Sequence, residues 1–225
     1  MTSKTVLLAS VALAVVAVVS ASANAADAIA PAKSPFYVSV FGGASFLNDV
    51  HATSSGNVPY IARTNTGYIL GGALGYHFSD QIRAELELSH SSWTLNSYNS
   101  AGKAFLPATG SISATYLLGN VWLDLPTNTA FTPYAGGGLG VGFTSADAIF
   151  NGGTHGYGPP LSQPNFAFQV GGGLKYDLSE NISLDLGYRF KGITNVHFGD
   201  TGGKYDYRNA NLFSHNIELG LTFNF

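Results

Sequence analysis

Residues 165–178 alternate without a break. Phe166, Phe168, Val170, Gly172, Leu174, Tyr176 and Leu178 share one parity, and Asn165, Ala167, Gln169, Gly171, Gly173, Lys175 and Asp177 the other. A period of two is what a β-strand with unlike faces requires, because successive side chains point to opposite sides. The same alternation recurs over residues 68–78, 82–91, 182–191 and 213–225. It is weaker over 36–46, 112–125 and 133–144, where Val121, Leu123 and Leu125 still oppose Asn120, Trp122 and Asp124. Helical spacing at i, i+3, i+4 and i+7 recurs nowhere over a comparable length. The pattern predicts eight strands of about 10–14 residues.

The connections alternate in length. Ser79-Asp80-Gln81, Ser179-Glu180-Asn181 and residues 126–132 read as tight turns. Residues 47–66, 94–110, 147–163 and 192–211 read as long polar loops rich in Ser, Asn, Gly and Asp. Short and long connections in turn are the layout of a membrane barrel, whose tilted strands need about 9–11 residues to cross. A soluble exported barrel shares the alternation, so composition decides between them. Only 10% of residues are charged while 45% are hydrophobic, against about 25% charged in ordinary soluble domains. One face of every strand carries almost no charge, as contact with lipid demands. Aromatics gather near strand ends: Phe36 and Tyr37, Tyr76 and Phe78, Phe166 and Phe168, Tyr188 and Phe190, Phe223 and Phe225. That is the placement of interfacial girdles. The predicted fold is all-β, an eight-stranded antiparallel up-and-down transmembrane β-barrel.

The same composition excludes other classes. A net charge of −3 without a Lys/Arg cluster speaks against nucleic-acid binding. The lack of Cys removes disulfides, thiolate metal sites and Cys nucleophiles. No cofactor and no metal centre is expected.

The N-terminal residues form a unit of their own. Lys4, the apolar run Val6 to Val19 and the small-residue site Ala23-Asn24-Ala25 make residues 1–25 a cleavable signal peptide. The run is shorter than the ~20 residues of a transmembrane helix. Residues 26–35 read as a short leader, and 36–225 as the barrel domain.

The terminal Ile217-Glu218-Leu219-Gly220-Leu221-Thr222-Phe223-Asn224-Phe225 alternates and ends on an aromatic. With Phe36-Tyr37-Val38-Ser39-Val40-Phe41-Gly42-Gly43, Asn120 to Leu125 and Pro133 to Val141, it resembles the small eight-stranded outer-membrane barrels of the OmpA-like and opacity-protein superfamily, of the alphaproteobacterial type. The resemblance spans the whole chain after the signal peptide, residues 26–225. It implies a Gram-negative outer membrane, lipopolysaccharide and outer-membrane lipids as surroundings, and a barrel-assembly machinery that reads Phe223 and Phe225. The chain stops at Phe225, so no peptidoglycan-binding domain is expected after the barrel.

Ten charged residues fall on the inward parity: Arg83, Glu85, Glu87, Asp124, Lys175, Asp177, Asp185, Arg189, Lys191 and Glu218. Five of them, Lys175, Asp177, Asp185, Arg189 and Lys191, lie on neighbouring strands beside the 179–181 turn. Buried charges are costly unless paired. The ten are therefore expected to form a salt-bridge network that plugs the lumen, since eight strands enclose just enough space for side chains. Ten glycines share that parity: Gly71, Gly75, Gly136, Gly138, Gly140, Gly142, Gly171, Gly173, Gly187 and Gly220. They either leave water-filled space for a narrow channel or make room for Tyr and Arg side chains.

Gly136 to Gly142 matches no phosphate-binding motif and precedes no helix. His51, His155 and His197 fall in loops without metal-ligand spacing. His90 is flanked by Ser89 and Ser91, but neighbours on a strand point to opposite faces, so a His/Ser hydrolytic pair is disfavoured. His90 and His215 fall on the lipid-facing parity, where interfacial anchoring is the simpler role. Loop aromatics Phe150, Tyr157, Tyr205 and Tyr207 in a Ser/Gly/Asn setting are the candidates for recognition of a host or surface ligand. The expected role is structural and interfacial, in membrane integrity, surface antigenicity or adhesion. A narrow channel is the alternative, and a lipid-A hydrolase a more distant one.

Overall fold

The computed structural model describes residues 35–54, 57–150, 153–155, 164–199 and 206–225. Eight long strands form the wall: β1 (Phe36–Leu47), β2 (Gly67–His77), β3 (Ile82–Ser100), β4 (Leu106–Asp124), β5 (Phe131–Phe150), β6 (Asn165–Asp177), β7 (Ile182–Gly199) and β8 (Asp206–Asn224). Each pairs antiparallel with its neighbour in sequence. β1 also pairs with β8 from Tyr37↔Asn224 to Leu47↔Ser214. That last ladder closes the sheet, so a barrel forms and no edge remains along it.

Side-chain parity sets the two faces. Outward positions carry Leu70, Leu74, Leu86, Val121, Leu139, Leu186 and Leu219, all exposed, with Leu139 at 63%. Such a continuous apolar exterior is a membrane surface. At the short-turn end it is ringed by Phe36, Tyr76, Phe78, Phe131 and Tyr176, whose rings meet at 4.7–4.9 Å. Farther up, Phe168, Phe190 and Phe213 form a second group with centroids 5.8–6.3 Å apart. Tyr37 departs from the expected girdle. It is buried, because its parity is opposite to that of Phe36 and its hydroxyl is held by lumen charges.

The two three-residue turns are built alike. The Ser79 hydroxyl accepts from the Gln81 and Ile82 amides at 3.3 and 3.2 Å. Ser179 accepts from Asn181 and Ile182 at 3.4 and 3.2 Å. A short hydroxyl side chain that satisfies turn amides is the physical reason Ser opens both turns.

The other end departs most from expectation. β3, β4, β5, β7 and β8 run for 18–20 residues, about twice the length a membrane crossing needs. Most of 94–110, and parts of 147–163 and 192–211, are therefore wall and not loop. Within 47–66, strands Val50–Ser54 and Pro59–Thr64 form a hairpin whose outer edges join β8 and β3. Strand Gly153–His155 folds back on β5. The polar composition hid these strands because their inward residues change from charged to apolar at Trp93 and Leu95, while the outward ones turn polar. Bulges accompany the extension. Register shifts fall at Thr94/Ser97 and Ile193/Val196, and Asn195 and Asn209 have φ of 58°. β3 and β4 meet through Ala101 and Gly102, with φ of 55° and 70° and a Lys103 N–H to Ser100 C=O bond of 3.1 Å, as in a two-residue hairpin turn.

Candidate functional site in the barrel lumen

The lumen is filled in tiers. Nearest the short turns, Arg83 on β3 donates from Nε to both Asp124 oxygens at 3.0 and 3.1 Å and from Nη1 to Glu85 at 2.7 Å. Glu85 also accepts from the Tyr37 hydroxyl and from Trp122 Nε1, each at 2.7 Å. Lys175 Nζ lies 3.8 Å from Asp124. On the facing wall, Arg189 donates to the Tyr134 hydroxyl at 2.8 Å, and that hydroxyl donates to Asp185 at 2.9 Å. The Arg189 guanidinium sits 4.3 Å from the Trp122 ring centre, and that of Arg83 sits 4.8 Å from Tyr134. Two aromatic rings thus separate two guanidinium groups, each attracted to a ring face.

One layer higher, Lys191 is fully buried and donates to Glu87 and to Ser89 Oγ. Glu87 accepts as well from Ser89 at 2.7 Å, Asn120 at 3.0 Å and Gln169 at 2.6 Å. Gln169 Nε2 also bonds Asn120 Oδ1 at 2.7 Å. Four strands are tied across the lumen by this cluster, because Glu87 and Ser89, Asn120, Gln169 and Lys191 stand on β3, β4, β6 and β7.

Above it the inner surface turns apolar. Trp93, Leu95, Ile112, Tyr116, Leu118, Ile193, Val196 and Leu212 form one buried cluster with Ala114, Ala146, Ala167 and Ala210. Trp93 keeps its indole N–H satisfied by donating to Ser45 Oγ at 3.0 Å. The barrel is thus lined like a soluble protein core in its upper part and like a charged network in its lower part.

The inward glycines lie beneath the filling side chains. A Cβ on Gly75 would strike the Tyr37 ring, and one on Gly173 would come within 2.5 Å of the Tyr134 hydroxyl. One on Gly187 would meet Arg189 and Tyr134 at 2.7 and 2.8 Å, and one on Gly142 would meet Ile193 at 2.5 Å. The absent side chains are space already taken by rings and guanidinium groups. A cavity of about 40 Å³ remains in the lower half, bordered by Tyr37, His77, Glu85, Arg189, Glu218 and Thr222. It has room for about three waters.

The sequence-predicted charges are therefore distributed as follows. Arg83, Glu87, Asp124, Arg189, Lys191 and Glu218 are buried. Glu85, Asp185 and Lys175 have side chains 9–21% exposed. Asp177 is at the exposed rim, where it accepts from Ser183 Oγ at 2.7 Å. The five charges of β6 and β7 do not pair mainly with one another. Only Arg189 and Asp185 approach, at 3.9 Å, whereas Lys191 and Lys175 reach across to Glu87 and Asp124. Same-face neighbours on adjacent strands diverge toward different partners because the lumen is narrow enough for long side chains to span it. Sequence reasoning left out Tyr37, Trp122, Tyr134, Asn120 and Gln169 as members of the network. Their inward parity was the available signal.

Other candidates resolve differently. Ser89 and Ser91 are buried in the lumen, while outward His90 meets Thr115 Oγ1 at 2.9 Å. His215 meets the Tyr188 hydroxyl at 2.6 Å. Both pairs lie on the outer face, where a ring nitrogen held by a neighbour is suited to an interfacial position. Phe223 and Phe225 end the closing ladder, and the Phe225 amide donates to Phe36 C=O at 3.3 Å. Phe150 ends β5 and Tyr207 lies near the start of β8, so neither is in a loop. Tyr157 and Tyr205 lie outside the described residues.

Residues 11–225 match the family described as outer membrane protein beta-barrel domain. Outer membrane protein PagN of Salmonella typhimurium is 27% identical over 224 residues, covering 88% of this chain and 93% of PagN. A Rickettsia bellii protein whose name marks it as a candidate adhesin is 25% identical over 202 residues, covering 84% of this chain and 87% of its own. The crystal structure of OprG from Pseudomonas aeruginosa covers 87% of this chain and 99% of OprG, with a TM-score of 0.58 at 18% identity. OprG attests the fold alone. With a closed ring of eight strands, an apolar exterior and a family match over nearly its whole length, the chain belongs to the outer-membrane β-barrel domain family and is a protein of the Gram-negative outer membrane.

Proposed function

We propose that the chain is a non-enzymatic surface barrel: a closed cylinder that supports membrane integrity and holds its long-strand end outside the cell as a recognition surface. The observation that carries this reading is the filled lumen. Charged, amide and apolar tiers follow one another along it, and the largest inward side chains lie over glycines. A solute pathway would have to displace a buried ion pair and then an apolar cluster.

The residues that would meet a host or surface ligand are Phe150, Tyr157, Tyr205 and Tyr207. Tyr in a Ser/Gly/Asn setting supplies rigid contact area with adaptable hydrogen bonding. The candidate adhesin of Rickettsia bellii supports the assignment to attachment. In this reading residues 1–25 direct export and are removed, and Phe223 and Phe225 are read by the assembly machinery. The ten inward charges act as the plug that fixes strand register. The short turns face the periplasm, and lipopolysaccharide surrounds the upper wall.

The test is a surface-display experiment. Cells carrying the full chain are compared with cells in which residues 150–163 and 200–207 are replaced by Gly-Ser segments. Attachment to host cells or matrix is expected to fall with the replacement, while heat-modifiable gel migration stays unchanged. Equal attachment by both proteins overturns the recognition role.

A further inference from the structure

The lumen charges do not cancel. Among the described residues, five carboxylates point into it behind the rim, Glu85, Glu87, Asp124, Asp185 and Glu218, against the four cations Arg83, Lys175, Arg189 and Lys191. Four carboxylates have a cation within 4 Å, and no such pair includes Glu218. Yet Glu218 is only 3% exposed, and its Oε1 has no hydrogen-bond partner.

Glycines flank it in the wall. Glu218 is paired across the sheet with Gly43 on β1 and Gly187 on β7, and Gly220 is the next inward residue below it on β8. Over Gly187 the space is taken by Arg189 and Tyr134, while on the Gly220 side the carboxylate borders the 40 Å³ cavity. One step up the same face, Asn216 donates from Nδ2 to Arg189 C=O at 3.1 Å and to Ser214 Oγ at 3.2 Å. Those acceptors fix the amide orientation. They leave Asn216 Oδ1 as a second buried oxygen without a partner. Residues two apart on a strand face are about 7 Å apart, close enough for both oxygens to approach one ion.

Arg83, Lys175 and Arg189 also line the cavity, but each basic side chain has its close acceptors elsewhere. Lys191 and Arg83 end on Glu87, Glu85 and Asp124, Arg189 ends on Tyr134 and Asp185, and Lys175 lies by Asp124. The β8–β1 side of the cavity instead presents Ser39 and Thr222, whose hydroxyls meet at 2.9 Å, and then Asn224 and His77 toward the short-turn mouth.

We propose that Glu218 and Asn216 hold one monovalent alkali cation, which enters along Ser39, Thr222 and Asn224. Hard oxygen donors suit such an ion. A single positive charge makes good the lumen's deficit, and a divalent ion would exceed it. Lys191 and Arg189 attract the Glu218 carboxylate, but neither stands within 4 Å of it, and a buried charge without a close partner costs several kcal/mol. The site goes beyond the surface role above, and it holds whether or not the tips bind a ligand.

The test uses the full chain refolded in detergent. Urea unfolding is followed by tryptophan fluorescence, since Trp93 and Trp122 both face the lumen. At constant ionic strength, replacing choline chloride by sodium or potassium chloride should move the midpoint to higher urea with a saturating dose dependence. Glu218→Gln should abolish the dependence, whereas Glu180→Gln, in an exposed turn, should retain it. Sodium-23 line broadening by the wild-type barrel, reversed by excess potassium, gives a readout that requires no variant to fold. Equal midpoints in sodium, potassium and choline overturn the proposal. So does a cation-independent midpoint that responds to pH and loses that response in Glu218→Gln, because the occupant is then a proton.

Discussion

Cutting the Lys191–Glu87 pair from one side or the other should have unequal consequences. In Lys191→Met the ammonium is lost, but Glu87 still accepts from Ser89, Asn120 and Gln169. The carboxylate keeps three donors, so the destabilisation should fall near the lower end of the ~3–5 kcal/mol expected when one member of a buried pair is removed. In Glu87→Leu the ammonium, buried at 0% exposure, keeps only Ser89 as a hydrogen-bond acceptor. Asn120 Nδ2 also loses its acceptor, which adds about 1–3 kcal/mol for an orphaned buried donor. Glu87→Leu should therefore be the worse variant by at least ~1 kcal/mol. The double variant Glu87→Leu/Lys191→Met should be less damaging than the sum of the two, since no isolated charge remains. The assay is urea unfolding in detergent followed by tryptophan fluorescence, with heat-modifiable migration to confirm folding. Equal effects, or a larger effect for Lys191→Met, would refute the view that the amide–hydroxyl shell of Glu87 carries part of the stabilisation.

Two glycines of opposite parity make a matched pair for the same assay: Gly75→Ala, beneath the Tyr37 ring, should destabilise by about 1–3 kcal/mol through overpacking. Gly119→Ala, on the lipid face with its nearest new contact at 3.9 Å, should be neutral or stabilising by up to about 1 kcal/mol. Ala101→Asn should stabilise the β3–β4 turn by up to about 1 kcal/mol in the unfolding midpoint, because Asn tolerates the left-handed φ of 55° better than Ala. Deleting Phe225 should lower the amount of barrel recovered from outer membranes of expressing cells. It should leave refolding in detergent nearly unchanged, since the residue contributes one backbone bond of 3.3 Å to the wall.

The barrel's membrane-spanning half was legible in the sequence because lipid imposes a single rule there. Most outward residues there, such as Leu70, Leu86, Leu186 and Leu219, are apolar, so parity could be read strand by strand. The half beyond the membrane obeys the opposite rule. Water outside and packing inside put Trp93, Leu95, Ile112 and Ile193 on the parity that carries Arg83 and Lys191 lower down. That reversal breaks a hydrophobicity pattern without breaking the strand, and it turned 18–20-residue strands into apparent loops. The inward charges were legible by the same parity, but their partners were not. Pairing across a lumen depends on barrel stagger and side-chain reach, and those bring Lys191 on β7 to Glu87 on β3 past nearer charges in the sequence. The aromatic members of the network were obscured for a related reason. Tyr37 sits beside Phe36 at a strand end, where composition suggests a girdle, although its parity, opposite to that of Phe36, turns it inward.

The central claim is that the lumen is closed, and single-channel recording in planar bilayers tests it most directly. The full chain should give no steady conductance. A variant with Trp93→Ala, Glu87→Leu and Lys191→Met, which removes the largest apolar side chain and the ion pair beneath it, should show openings if it folds by heat-modifiable migration. Steady openings from the wild-type barrel would contradict the account.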